Sequence, residues 1–262
     1  MTAQEFIFDT PLYKKIIINT ENCFIDELFR FGACFDGYNP QKKAETTYKI
    51  VKGLCNPHKS TIYSSILDES GLLELYLECG RYRDLLTIFV YWDTSERSIM
   101  KIGQFPSVAD IHIGQIKQYS GVLSKEKLKE FTRAIGLAAN GVGIGSFVYL
   151  RRIFEGLVTE AAEKEIEGGN IDHDSFDKAR MDDKIKMVEN HLPKFLVDNR
   201  NIYGILSAGI HELKEEECLG YFNIMRESIE LILEQKLKEK EMENRIVNAQ
   251  KAINSINTKI KN

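Results

Sequence analysis

Apolar residues in the first hundred positions come in short runs. Ile16–Ile18, Ser60–Ile66, Leu72–Leu77 and Leu85–Tyr91 are rich in β-branched, leucine or aromatic side chains. Asn19, Gly53, Asn56-Pro57, Ser70-Gly71 and Gly80 separate them. Runs of this length bounded by turn formers predict strands. Leu72–Trp92 is expected to form two strands around the turn Cys79–Asp84, and Met100–Gly103 a further short one. Gly103-Gln104-Phe105-Pro106-Ser107 breaks the pattern and marks a boundary.

Beyond it the period changes. From Lys125 to about Glu167 there is no proline, and Leu128, Phe131, Ile135, Val142, Ile153, Leu157 and Ala161 recur at roughly helical spacing. Ser124 is a good N-cap, although Lys127 stands where a capping box wants an acid. A second helix is expected over Ser175–Leu192, a third over about Val197–Ser207 and a fourth over about Lys214–Lys240. Four helices joined by short links predict an antiparallel bundle. In the tail, Ile246, Ala249, Ile253, Ile256 and Ile260 alternate three and four apart, the spacing of a coiled-coil seam. So short a seam needs a partner. The expected organisation is therefore α+β: a β-rich module over 1–115, a helical bundle over 120–240 and a C-terminal coiled-coil helix over 241–262.

Composition narrows the class. With 43% hydrophobic and 28% charged residues the chain is neither disordered nor a polytopic membrane protein. Thirty-five basic against 39 acidic residues do not make a basic DNA-coating protein, although residues 236–262 carry seven basic and three acidic side chains. The longest uncharged run, Ile135–Leu150, is shorter than the roughly 20 residues a spanning helix needs. The start, MTAQEFIFDT, has no apolar core and does not read as a signal peptide. Five scattered cysteines do not make a disulfide framework. The expectation is a cytoplasmic protein that does not enter a membrane.

Three sets carry candidate chemistry. Gly141-Val-Gly143-Ile-Gly145-Ser146 invites a phosphate-loop reading, but such a loop follows a strand and opens a helix, and this one sits in a helical pattern. The other reading is a helix face kept small for close packing. Cys55-Asn-Pro-His58, with Cys34 and Cys79 elsewhere, supplies only one close pair where zinc wants four ligands, so no metal and no cofactor are expected. The third set is polar and lies in the bundle. Arg151, Arg152 and Glu155 share one helix, with Arg151 and Glu155 on one face. Asn199, Arg200, Tyr203, His211 and Glu212 lie on or near a later helix. A histidine facing an arginine can perform acid–base work on a phosphodiester; the same residues also suit an interhelical polar clamp.

Two of these stretches, Tyr149-Leu-Arg-Arg-Ile-Phe-Glu155 and Tyr203-Gly-Ile-Leu-Ser-Ala-Gly-Ile-His-Glu-Leu213, resemble the HEPN-type helical domains of prokaryotes over about residues 125–240. The resemblance implies an antiparallel HEPN-like bundle and a role in antiphage defence, toxin or stress systems. There such domains serve as dimeric, metal-independent endoribonucleases or as noncatalytic modules. The candidate site drawn from the polar set is Arg151, Arg152, Glu155 and His211 for catalysis, with Asn199, Arg200 and Tyr203 for binding. The family's nuclease motif is an arginine followed within a few residues by a histidine, and no histidine here has such an arginine; Arg200 precedes His211 by eleven positions. Cys34-Phe-Asp-Gly37 and Cys79-Gly-Arg-Tyr-Arg-Asp84 resemble, more faintly, half of the paired ligands of a zinc ribbon, which implies a degenerate, metal-free one. The expected function is that of a noncatalytic or regulatory module binding a protein or RNA. It would form a homodimer, or recruit another protein, through the C-terminal helix. A HEPN-type ribonuclease acting across a dimer cleft is the alternative.

Overall fold

The structure is a computed structural model that describes residues 1–19, 24–53 and 69–261. It is mixed α+β, and the chain divides into two compact units. One holds Met1–Lys117 with Thr132–Ser146, the other Gln118–Phe131 with Phe147–Asn262. The expected strand Ser60–Ile66, together with Cys23, Cys55 and His58, lies outside the described residues.

The first unit is built on a six-stranded sheet, β1 (Lys15–Ile17), β2 (Cys34–Asn39), β3 (Ala44–Gly53), β4 (Gly71–Cys79), β5 (Leu85–Asp93) and β6 (Ser98–Phe105). The strands lie in the order β1-β6-β5-β4-β3-β2, and each neighbouring pair is antiparallel. β4 and β5 realise the two strands read from Leu72–Trp92. Their alternation points Leu73, Leu75, Leu77 and Cys79, and opposite them Leu86, Ile88, Val90 and Trp92, to one buried face. Three helices accompany the sheet, α1 (Ala3–Phe8), α2 (Ile25–Leu28) and α3 (Val108–Ile116). Thr2 and Glu5 close a reciprocal capping box at the start of α1. Phe6 and Ile7 on α1, Ile25 and Leu28 on α2, and Ile111 on α3 join the core cluster beside the sheet. β2, β3 and these three helices are additional to the elements that the sequence pattern predicts.

The long helix expected from Lys125 to Glu167 is two, α4 (Lys125–Ala139) and α5 (Gly143–Glu167). Gly141 takes the left-handed conformation, φ +80°. Its N–H donates to Ala138 and the Val142 N–H to Leu137, the two bonds of a Schellman stop. The glycine-rich stretch is therefore a helix terminus followed by a new helix. It follows a helix rather than a strand, so the context of a phosphate loop is missing.

The expected helix Ser175–Leu192 is broken into α6 (His173–Lys178) and α7 (Met181–Met187), and a single 3-10 turn covers Glu189–His191. The third expected helix is likewise α8 (Lys194–Asp198) and α9 (Asn201–His211). The fourth, α10, runs without interruption from Glu215 to Lys261, through the boundary expected at 240. The core of the second unit includes Phe147, Leu150, Phe154, Leu196, Leu206, Phe222, Ile229 and Leu233. No helix among the described residues is long and apolar enough to cross a membrane.

Candidate functional site

The periodicity that buries Leu150, Ile153, Phe154 and Leu157 of α5 leaves Arg151 and Glu155 at the border of that face, one turn apart. The opposing element is α9, held close because Gly209 lies against the buried ring of Phe147. A Cβ added to Gly209 would stand 2.1 Å from Phe147 Cδ1. In that setting Arg151 Nε donates to Glu155 Oε1 at 2.9 Å and Arg151 Nη2 to the Tyr203 hydroxyl at 2.9 Å. The hydroxyl in turn donates to Glu155 Oε1 at 3.1 Å. The guanidinium also lies 5.1 Å from the centroid of the Tyr203 ring, which packs on Phe154. Burial pulls the Arg151 guanidinium toward neutrality, but its bond to Glu155 and the Glu155 charge outweigh burial and raise its pKa further. Burial, then the Glu155 charge, raises the Tyr203 phenol. Arg151 is thus a permanent cation and Tyr203 a neutral donor at physiological pH.

Arg152 faces another way. Its Nη2 meets Glu130 Oε1 at 2.7 Å, the second Glu130 oxygen takes Lys127 Nζ at 3.0 Å, and the same ammonium donates to the Arg152 carbonyl at 2.9 Å. Gly156 leaves room for the Lys127 stem, since a Cβ there would come within 2.6 Å of Lys127 Cε. The two arginines adjacent in sequence therefore serve two different clamps, one to α9 and one to α4.

His211 belongs to neither. It ends α9, exposed to solvent, eight residues past Tyr203, which is about 12 Å along the axis at 1.5 Å per residue. Asn199 caps α8, its side-chain amide donating to the Phe195 carbonyl at 2.9 Å, and Arg200 is exposed just before α9. Of the residues expected to form a site, the structure brings together Arg151, Glu155 and Tyr203, and leaves Arg152, His211, Asn199 and Arg200 elsewhere on the second unit. Replacing Tyr203 with Phe deletes one hydroxyl from this triad. We expect it to destabilise the helical unit by about 1–2 kcal/mol in urea unfolding, and an unchanged midpoint would show that the triad carries no stability.

The cysteines of the sheet occupy opposite faces. Cys34 pairs with Lys49 and Cys79 with Tyr48, and adjacent residues of β3 point to opposite sides. Cys34 is exposed and Cys79 is buried against the Thr46 hydroxyl, so these two thiols cannot ligate one ion. Among the described residues no group of three or more His, Cys, Asp or Glu is placed to share a metal.

Three features escaped the sequence reading. Lys101 on β6 is fully buried, its Nζ donating to the Ile7 carbonyl at 2.9 Å and to Gln104 Oε1 at 2.7 Å, with Phe6 5.5 Å away. His112 Nε2 lies 3.1 Å from the Phe8 carbonyl and 3.3 Å from Asp9 Oδ1, so two side chains meet the last carbonyls of α1. In the second unit, Arg226 and Glu230 stand in the apolar stripe of α10, 3.6 Å apart, with Arg226 Nε and Nη1 and Glu230 Oε1 buried without a hydrogen bond. The same unit contains an open cleft of about 690 Å³ lined by Leu123, Leu157, His191, Leu192, Glu239 and Glu243, among others. Glu165 holds His191 at 3.0 Å. Lys101 and His112 each meet an element far away in the chain, so no spacing announced them, whereas Arg226 and Glu230 stand four apart on one helix and only their burial was not legible.

No family model matches the chain, and comparison with curated proteins and with solved structures gave no match.

Proposed function

We propose that the chain is a noncatalytic or regulatory HEPN-like helical module that binds a protein or RNA partner, in antiphage defence or a stress response. The observation that supports this reading is the engagement of Arg151. Its guanidinium is held by Glu155 and Tyr203 within one interhelical clamp. A catalytic arginine would instead present its fork to a phosphate beside the histidine that moves the proton. Arg152 is likewise drawn to Glu130. His211 is exposed about two helical turns from the clamp. The clamp suits a scaffold that keeps α5 and α9 in fixed register while exposed surface does the binding.

An RNA cleavage assay tests this directly. Wild-type protein and His211→Ala, incubated with a single-stranded RNA in the presence of EDTA, are expected to leave it equally intact. Any binding is expected to weaken steeply with salt, because phosphate contacts release counterions. Wild-type cleavage that disappears in His211→Ala would replace the binding-module reading with a metal-independent endoribonuclease.

A further inference from the structure

From Lys238 to Asn257 every side chain of α10 is exposed. With its side chains exposed, this half of the helix buries little of the surface whose tertiary packing normally stabilises a helix in water. Its polar residues do not surround it evenly. Met242, Ile246, Ile253 and Ile256 are each more than half exposed and fall, with Ala249, on one seam.

We infer that this projecting half of α10 pairs antiparallel with the same half of a second copy of the chain, with Ile246 packed against the partner's Ile256 and Ala249 against the partner's Ile253. The register follows from the heptad. Taking 246 and 253 as a positions and 249 and 256 as d, an antiparallel pair stacks a on d. The layers 246 on 256 and 253 on 249 then close with one two-fold axis near residue 251. The seam is complementary to itself in this orientation. The small Ala249 meets the large Ile253 of the other chain. A parallel pair would stack Ala249 on Ala249 and leave a gap.

Charge selects the same orientation. Residues 236–244 hold Lys236, Lys238 and Lys240 against Glu239, Glu241 and Glu243, whereas residues 245–261 hold four basic side chains and no acidic one. Parallel pairing would set the two basic stretches side by side. Antiparallel pairing instead brings the end of that stretch, positions 259 and 261, both lysine, level with Glu243 and Glu241 of the other copy. The cleft of the helical unit is continuous with this stretch of α10, since Lys236, Glu239, Lys240 and Glu243 line it. There Lys236 is taken by Glu160 and Lys240 by the Gly121 carbonyl, whereas Glu239 and Glu243 have no ion-pair partner among the described residues. The proposed register brings the partner's position 259, a lysine, level with Glu243.

The inference names a partner for the module proposed above; a monomeric chain would end it and leave that reading standing. The full chain is expected to have a mass near 60 kDa by light scattering, twice its 30.1 kDa. Ile253→Asp, at an exposed position, is expected to halve that mass without moving the melting temperature of the helical unit. A wild-type monomer, or a dimer that survives Ile253→Asp, would overturn the proposal. Orientation is read from oxidative crosslinking of full-length protein with Cys23, Cys34 and Cys55 replaced by serine. Gln250→Cys, beside the two-fold axis, is expected to form a disulfide-linked dimer, and Ile246→Cys is not. The reverse result would establish a parallel pair and overturn the antiparallel one.

Discussion

Raising the pH from 7 to 10.5 is expected to stabilise the sheet unit. The cause is Lys101. Removal from water disfavours its charge and pushes its pKa from 10.5 down to about 7, with the Asp9 carboxylate opposing that shift only in part. At pH 7 the unfolded chain holds this proton fully and the folded chain about half of the time, so folding there works against the desolvation of an ammonium. As the pH climbs toward 10.5 the unfolded chain loses the same proton and the disadvantage fades. Below pH 7 both states are protonated and the disadvantage is constant. The full span corresponds to about 5 kcal/mol. The measurement is urea unfolding followed by the fluorescence of Trp92, the single tryptophan, which lies in the same sheet. Other groups also titrate in this window, so the decisive comparison is with Lys101→Met, in which the slope of stability against pH is expected to flatten. Parallel slopes for the two proteins would show that Lys101 does not titrate within the window. The substitution is not expected to be a simple gain at pH 7, because it leaves the Ile7 carbonyl and Gln104 Oε1 without their donor.

On α9, two glycines five residues apart are expected to respond to alanine with opposite signs. Gly204 has no heavy atom within 4 Å of an added Cβ, so Gly204→Ala is expected to stabilise the helical unit by about 0.5–1 kcal/mol through helix propensity alone. Gly209 would drive its Cβ into Phe147, 2.1 Å from Cδ1 and 2.7 Å from Cε1, and that ring is fully buried. Here the same propensity gain is overwhelmed, and Gly209→Ala is expected to cost about 1–3 kcal/mol by forcing α5 and α9 apart. Urea midpoints of the two variants give the answer. Two changes of equal sign would mean that α9 does not pack on Phe147 as described. Because Tyr203 sits on the same helix, Gly209→Ala is also expected to loosen its bonds to Arg151 and Glu155.

What the sequence disclosed followed the physics of one-sided burial. β4 and β5 were legible because Leu73, Leu75 and Leu77, then Leu86, Ile88 and Val90, alternate without interruption. β3 was not, because its buried pair Tyr48 and Ile50 is set among Thr46, Thr47, Lys49 and Lys52, so the apolar half of the alternation is only two residues long. β6 shows why period alone fails. In Met100-Lys101-Ile102 the hydrophobic choice for the core is Met100 and Ile102, yet Lys101 takes the place opposite buried Val90. A register shift beside Phe89 and Val90 changes which residues share that face. In the helical unit the i, i+4 spacing of Arg151 and Glu155 was sufficient to expect their pairing, and the structure adds Tyr203. The position of His211 was not legible. Where a side chain near the end of one helix lies relative to another depends on where α9 begins, and that boundary is set by Asn199 capping α8. The break at Gly141 was visible as Asn140-Gly141 but was absorbed into an apolar period that continues on both sides of it.

The placement of β1 carries a consequence for how the sheet is assembled. Every other ladder joins strands that follow one another in the described order, so each needs only a local closure. β1 instead sets Ile16 against Ile99, across 83 residues of chain. Such a closure carries an entropic penalty that grows with the logarithm of the intervening length, and three residues of ladder return little against it. Lys15–Ile17 must therefore wait until β6 exists, and joins last an edge that the hairpins have already built.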